Sequence, residues 1–244
     1  YGAMTADWGD VQPNDDFGCD MNDLSDPAID VYDNAMFIIA LDYLLEMAPD
    51  SPQASRWKSL REGIERNVRA HLWDEKRQKF IPHIYPEKSP IPEGFDELAI
   101  HYHGGTAIAI EAGLLSKDEI RTVNAQMLEN VRLSGMPSIG LTLYPVYPDG
   151  FFHGGMSKAY LYQNGGDWTW FGGRMIQQLV VNGMVEEAYA EIHPMIERVI
   201  QNDGFYEWYG KGGVPSGSGN FKGSAGVLSK AIELLRDWAE KNKS

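Results

Sequence analysis

Three stretches of this sequence gather the residue types that act on hydroxyl-rich molecules. The first is Asp7-Trp8-Gly9-Asp10, two acids around a tryptophan and a glycine. It reads as a tight turn that sets a carboxyl against an apolar ring, and burial of that kind raises a carboxyl pKa. A general acid needs such tuning to hold its proton near neutrality. The same four residues also read as an ordinary surface turn. The second stretch, Tyr162 to Arg174, contains Gln163, Asn164, Asp167, Trp168 and Trp170 among glycines and runs straight into an apolar segment. Gln, Asn and Asp offer hydrogen bonds to hydroxyls, the two tryptophans offer flat stacking faces, and the glycines let a ligand approach the backbone. The competing reading is a helix start with Asp167 as its N-cap and the tryptophans buried. The third is Gly204-Phe205-Tyr206-Glu207-Trp208-Tyr209-Gly210, where one glutamate stands among four aromatics. Such a glutamate is desolvated or held by hydrogen bonds, and both suit a catalytic carboxylate. Glu207 reads equally as a solvent-facing residue of a short strand.

These stretches must be positioned by helices. Apolar residues recur with a 3.6-residue period from about Ala28 to Met47, and again after a Ser51-Pro52 cap through Trp57, Leu60, Ile64, Val68 and Leu72. Lys76 to Tyr85 reads as a small β-ribbon followed by a proline-rich loop. A second helix pair is expected at Leu98–Ala112 and Lys117–Val131, with Ser116 and Glu119 as a capping box. A third is expected at Trp168–Val181 and Val185–Ile200, with a kink at Pro194, and a last helix at Lys222–Lys241. The segments between pairs are long and rich in Gly, Asp and Trp, whereas those within pairs are short. This is the pattern of an all-α protein, an α/α toroid with small β-ribbon insertions, whose functional face carries the long loops. Seven long helices are too few for the twelve of a six-pair toroid, so the expectation is a single catalytic region over 1–244 that lacks the N-terminal hairpins of the barrel.

With 244 residues, 43% hydrophobic, the chain can build one substantial core. Its net charge of −14 repels nucleic acid and anionic membranes and favours neutral or cationic ligands. The lone Cys19 has no partner for an internal disulfide and no metal-ligand spacing around it. No cofactor or metal is implied, since no His or carboxylate pair at i, i+4 falls in the motif loops. There is no run of apolar residues long enough for a membrane span. The first ten residues carry no signal pattern, so any export signal is expected to have been removed or never present.

Taken in order, the motifs resemble those of the six-hairpin α/α-barrel glycosidases, a group that includes glycogen-debranching-type glucosidases, processing α-glucosidase I and the cellobiose phosphorylases. Asp7-Trp8-Gly9-Asp10, followed by the Asp30-Val31-Tyr32-Asp33-Asn34-Ala35 helix start, resembles the Asp-Trp-Asn-Asp loop of the phosphorylases. Tyr162-Gln163-Asn164-Gly165 with Trp168 and Trp170 resembles the sugar-pocket element of debranching enzymes, with Gln and Thr in place of His and Pro. Glu207 with Phe221-Lys222-Gly223-Ser224-Ala225 resembles the Glu, loop, Phe-Trp-Ser-Ala pattern of α-glucosidase I, with Lys222 and Gly223 as departures.

The resemblance implies an inverting glycoside hydrolase with Asp7 as general acid and Glu207 as general base. Trp8, Asp10, Tyr32, Asp33, Gln163, Asp167, Trp168 and Trp170 would hold the sugar, with Asp10 and Asp167 in reserve for either carboxyl role. A carbohydrate substrate and a secreted or periplasmic setting are expected from it. So is an apolar seam, covered by the first half of the barrel or by self-association. Two rival readings remain. One is phosphorolysis on the same barrel, with His101, His103, His153 and Arg174 as the candidate phosphate ligands. The other is an α-toroid that binds glycans without cleaving them.

Overall fold

The computed structural model describes residues 2–9, 11–14 and 21–243. Seven long helices dominate it: α1 (Val31–Met47), α2 (Ala54–His71), α3 (His103–Glu111), α4 (Lys117–Ser134), α5 (Thr169–Val181), α6 (Val185–Asn202) and α7 (Lys222–Lys241). Among the described residues the β structure consists of antiparallel two-stranded ribbons and isolated bridges: β1 (Gly2–Ala3) with β2 (Pro27–Ala28), β3 (Trp73–Asp74) with β4 (Lys79–Phe80), β5 (His101–Tyr102) with β6 (Leu143–Tyr144), and β7 (Trp208–Gly210) with β8 (Val214–Ser216).

The helices form an arc of an α/α toroid. The odd-numbered helices are its inner layer, each packed on the next in the order α1, α3, α5, α7, and α2 and α6 lie against α1 and α5. Sequence explains this sorting. In α3 every residue from His103 to Ile110 is buried, as expected of a helix enclosed on all sides. Helix α2, by contrast, buries only Val68, and α4 buries a stripe that includes Ile120, Val123 and Met127. Inner helices approach closely where glycine leaves room: a methyl group at Gly173 of α5 would meet Val227 of α7 at 2.8 Å.

All four inner helices run the same way, so their N-termini share one end. The connections at the other end are short, residues 48–53, 112–116 and 182–184, whereas those feeding the N-termini span 72–102, 135–168 and 203–221. A second small core, built from Met4, Ala6, Ile100, Tyr102, Leu143, Tyr147, Phe152 and Met156, lies beneath these long loops.

Several helix limits differ from the spacing-based expectation. Helix α2 starts at Ala54 rather than directly after Ser51, whose hydroxyl accepts from the Gln53 N–H at 3.2 Å and forms a turn before the helix. Helix α3 starts at His103, because Glu97–Ala99 closes as a 3₁₀ turn and His101–Tyr102 pairs with β6. The ribbon sits at Trp73–Phe80, a few residues earlier than expected. Helix α6 continues through Pro194 as one element. The Ser116–Glu119 capping box is present, with both reciprocal bonds formed.

Candidate active site

The loop before Gly9 is docked on the N-terminus of α3. Asp7 is only 1% exposed, and its two carboxylate oxygens accept from the Gly104 N–H at 2.6 Å and the Gly105 N–H at 2.7 Å. Those are two of the amides a helix leaves unpaired at its start, and the helix dipole favours an anion there. Side chains at positions 104 or 105 would strike the carboxylate. Asp7 itself is left-handed, with φ of 57°, a conformation that a non-glycine residue keeps only where its surroundings hold it. Burial pushes its pKa well above the usual carboxylate range and Asp30 adds to this, while the two backbone N–H bonds work against it.

Trp8 follows on the open side of that anchor. Its ring meets Phe171 with centroids 3.9 Å apart, Trp168 at 4.9 Å edge-on, and Tyr32 at 6.4 Å. Gly9 lies against the side chain of Gln163, where a Cβ would collide with the amide. The Gln163 amide oxygen is buried and has no hydrogen-bond partner among the described residues. Asp10 lies outside the described residues, as does Cys19.

The second stretch splits into two kinds of residue. Trp168 is buried and donates its indole N–H to the Tyr162 carbonyl at 3.0 Å, so it forms the floor of the aromatic cluster. Trp170 is half-buried, with the Arg174 guanidinium 5.1 Å from its ring. Asp167, in contrast, is fully enclosed: Ser138 Oγ donates to both of its oxygens, at 2.9 and 2.7 Å, and Arg198 Nη1 lies 2.7 Å from Oδ1. Its backbone exchanges two hydrogen bonds with Tyr209, which ties the 135–168 loop to β7. The N-cap position of α5 is held by Trp168, without a side-chain bond.

Glu207 immediately precedes β7. It is half-buried; its backbone N–H donates to the Ser218 carbonyl at 2.9 Å, and its carboxylate accepts from the Ser218 N–H at 3.2 Å. Gly217, at φ of 69°, passes so close that any side chain there would strike the carboxyl. Next to it, Trp208 meets Tyr162 edge-on at 6.2 Å, and Tyr162 meets Trp168 at 5.1 Å. A continuous run of rings, Trp8, Trp168, Tyr162 and Trp208, thus links the acid loop to the Glu207 loop. Tyr32 and Gln163 join this assembly at Trp8 and Gly9. Asp33 is exposed in the first turn of α1, beside Gly2.

One group of residues was invisible to spacing. Glu97 Oε1 accepts from the hydroxyls of Tyr85 and Tyr147, each at 2.7 Å, and lies 2.8 Å from His83 Nδ1. Tyr147 Oη in turn lies 2.8 Å from Tyr102 Oη, whose single hydroxyl proton goes either there or to the Thr5 carbonyl 3.2 Å away. A line of polar contacts therefore runs from a buried glutamate to the backbone two residues before Asp7. Its members come from four separate segments without helical or strand period, and only the abundance of Tyr near the proline-rich loop hinted at them.

The candidate phosphate ligands do not assemble into a cationic cluster. Burial holds His103 down to about 3 and His101 down to about 4, so both are neutral, and Arg174 pairs with Glu111 at 2.8 Å. Among the described residues no group of three or more His, Cys, Asp or Glu is arranged to hold a metal ion.

This geometry can be set beside known proteins. No protein-family model matches the chain, and no curated protein matches it in sequence. Solved structures do. The chain shares its fold with a glycoside hydrolase. GH63 mannosylglycerate hydrolase from Thermus thermophilus, solved in complex with Tris and D-glycerate, aligns with 86% of the chain at a TM-score of 0.59 and 16% identity. The same enzyme in complex with glucose aligns with 88% at 0.59 and 15% identity. The chain spans less than half of the length of each, 46% and 48%.

Proposed function

We propose that this protein is a glycoside hydrolase that cleaves its substrate at the N-terminal end of the inner helices by paired carboxylic acid and base catalysis, with inversion. The observation that carries this reading is the aromatic run from Trp8 to Trp208, which joins a loop rich in acids to a half-open glutamate. Flat rings flanked by polar groups suit a sugar, whose ring presents apolar C–H faces and a hydroxyl rim. The likeness in fold to a mannosylglycerate hydrolase supports the reading.

The roles follow from what each carboxyl already does. Glu207 keeps capacity to accept a proton, having a single backbone N–H bond on its carboxylate, and is the proposed base that activates water. In the acid loop Asp7 has both oxygens taken and almost no exposure. The proton donor proposed for this loop is therefore Asp10, and Asp7 becomes the residue that pins the loop to α3. Asp167 similarly serves the proposed site by joining the second loop to β7, instead of touching sugar. Trp8, Tyr32, Gln163, Trp168 and Trp170 form the proposed sugar-facing wall, with Asp33 at its edge. Phosphorolysis is disfavoured by the buried, neutral His103 and the paired Arg174.

The test is hydrolysis of a panel of glycosides, mannosylglycerate included, by the full-length protein. The anomer released first is read by NMR. Asp10→Asn and Glu207→Gln are each expected to lower kcat by about 10²–10⁴-fold. Full activity in both variants would sink the assignment, and glycan binding without turnover in the wild type would make the protein a lectin-like toroid.

A further inference from the structure

Away from the loops discussed so far, Lys79 stands out. It is 3% exposed, on β4, and its ammonium donates to the Ile100 carbonyl. Among the described residues no carboxylate comes within ion-pairing distance of it. A buried cation without a directly bound counter-charge is costly; its cross-strand neighbour Asp74 and Asp96 favour the charge from a distance, and Arg77 opposes it. Lys79 lines a surface concavity between the β3–β4 ribbon, the segment before α3 and helix α4, together with Arg77, His101, Arg121 and Asn130. The His101 ring is half-buried and makes no hydrogen bond with a described residue. Arg77 and Arg121 each bind one carboxylate through a single nitrogen, Asp74 and Asp118, both at 2.8 Å or less, which leaves most of their N–H groups unused. The acid on the lining, Glu129, is itself paired with Arg132.

We infer that this concavity is a binding site for a phosphate group, held by Lys79 from below, His101 from the strand and Arg77 and Arg121 from the rim. N–H donors from three elements line this one concavity and suit an oxyanion, of which phosphate presents the most acceptor oxygens. Burial and Arg77 push the pKa of Lys79 down to about 8, against the pull of Asp74 and Asp96. The site is independent of the proposed glycosidase reading and needs no turnover to be tested.

The experiment is calorimetric titration and thermal denaturation of the protein with inorganic phosphate, against chloride at equal ionic strength. Saturable binding with a rise in Tm is expected, and Lys79→Met should abolish both while raising the Tm of the phosphate-free protein. Glucose 6-phosphate in place of phosphate separates the sources: equal affinity assigns free phosphate, and at least tenfold tighter binding assigns a phosphorylated sugar. Should Lys79→Met fail to fold, His101→Gln and Arg121→Gln decide, each expected to weaken phosphate several-fold. Identical responses to phosphate and chloride, or unchanged affinity in these variants, would overturn the inference.

Discussion

The acid loop and the Glu207 loop both bring a carboxylate to the start of an inner helix, yet they treat it in opposite ways. Asp7 is sealed, and two amides of α3 take its oxygens. Glu207 is half open, held by one amide of its own loop and placed next to the tryptophan that reaches the aromatic run. A carboxylate sealed from solvent, with a backbone amide on each oxygen, serves the scaffold. One that retains solvent access and spare acceptor capacity can exchange a proton. Asp167, enclosed by Arg198 and Ser138, belongs with Asp7.

The sharpest way to break this contrast is Glu207→Gln. It should remove about 10²–10⁴-fold of kcat while leaving the denaturation midpoint of the protein close to that of the wild type. A large loss of stability would place Glu207 in the scaffold. Asp7→Ala should do the reverse. It strands the buried Gly105 amide, while the Gly104 N–H keeps the Thr142 carbonyl at 3.3 Å, so chemical denaturation should show about 1–3 kcal/mol of lost stability, and activity at low temperature should fall less than in Asp10→Asn.

A smaller effect is expected one step behind Asp7. Tyr147→Phe breaks the chain from Glu97 to Tyr102 and the Thr5 carbonyl, so kcat should fall a few-fold with KM nearly unchanged. A change confined to KM would argue against a link between this network and the acid loop.

A last effect concerns a carboxyl far from either loop. Glu191 of α6 is buried against Asn124, and burial raises its pKa to about 7. Its charged form is disfavoured in the folded state, so the wild type should lose stability as pH rises from about 4.5 through 7. Glu191→Gln should be more stable than the wild type at pH 8, by about 1–3 kcal/mol, and the advantage should vanish below about pH 4.5. An advantage that persists at about pH 4 would mean the carboxyl is not the cause.

Much of the architecture was legible because periodicity and punctuation agree in this sequence. The Ser116–Glu119 box, Gly183 after α5, and the short turns within pairs against long loops between them all follow from local chemistry. The spacing starts helix α3 five residues too early because β5 and the 3₁₀ turn before it contain the same apolar residues as a helix start. The aromatic assembly was legible as composition: Trp8, Trp168 and Tyr32 do come together. What spacing could not supply was the state of each acid. Nothing in the four-residue motif reveals that Asp7 is bound by two glycines of α3, almost a hundred residues away. The enclosure of Asp167 was hidden for the same reason, since its partner, Arg198, is carried by another helix. The Glu97 network escaped for the same reason, since its members meet only in three dimensions.

The most direct test of the central claim is a crystal structure of the full-length protein with a bound sugar, from which the separation of the Asp10 and Glu207 carboxyls is measured. The account predicts that the two face each other across the sugar at roughly 6.5–9.5 Å, the range that admits an attacking water in an inverting enzyme, with Asp7 still bound to Gly104 and Gly105. An Asp10 side chain turned away from the sugar, or Asp7 released from α3 and pointing at the glycosidic oxygen, would contradict it.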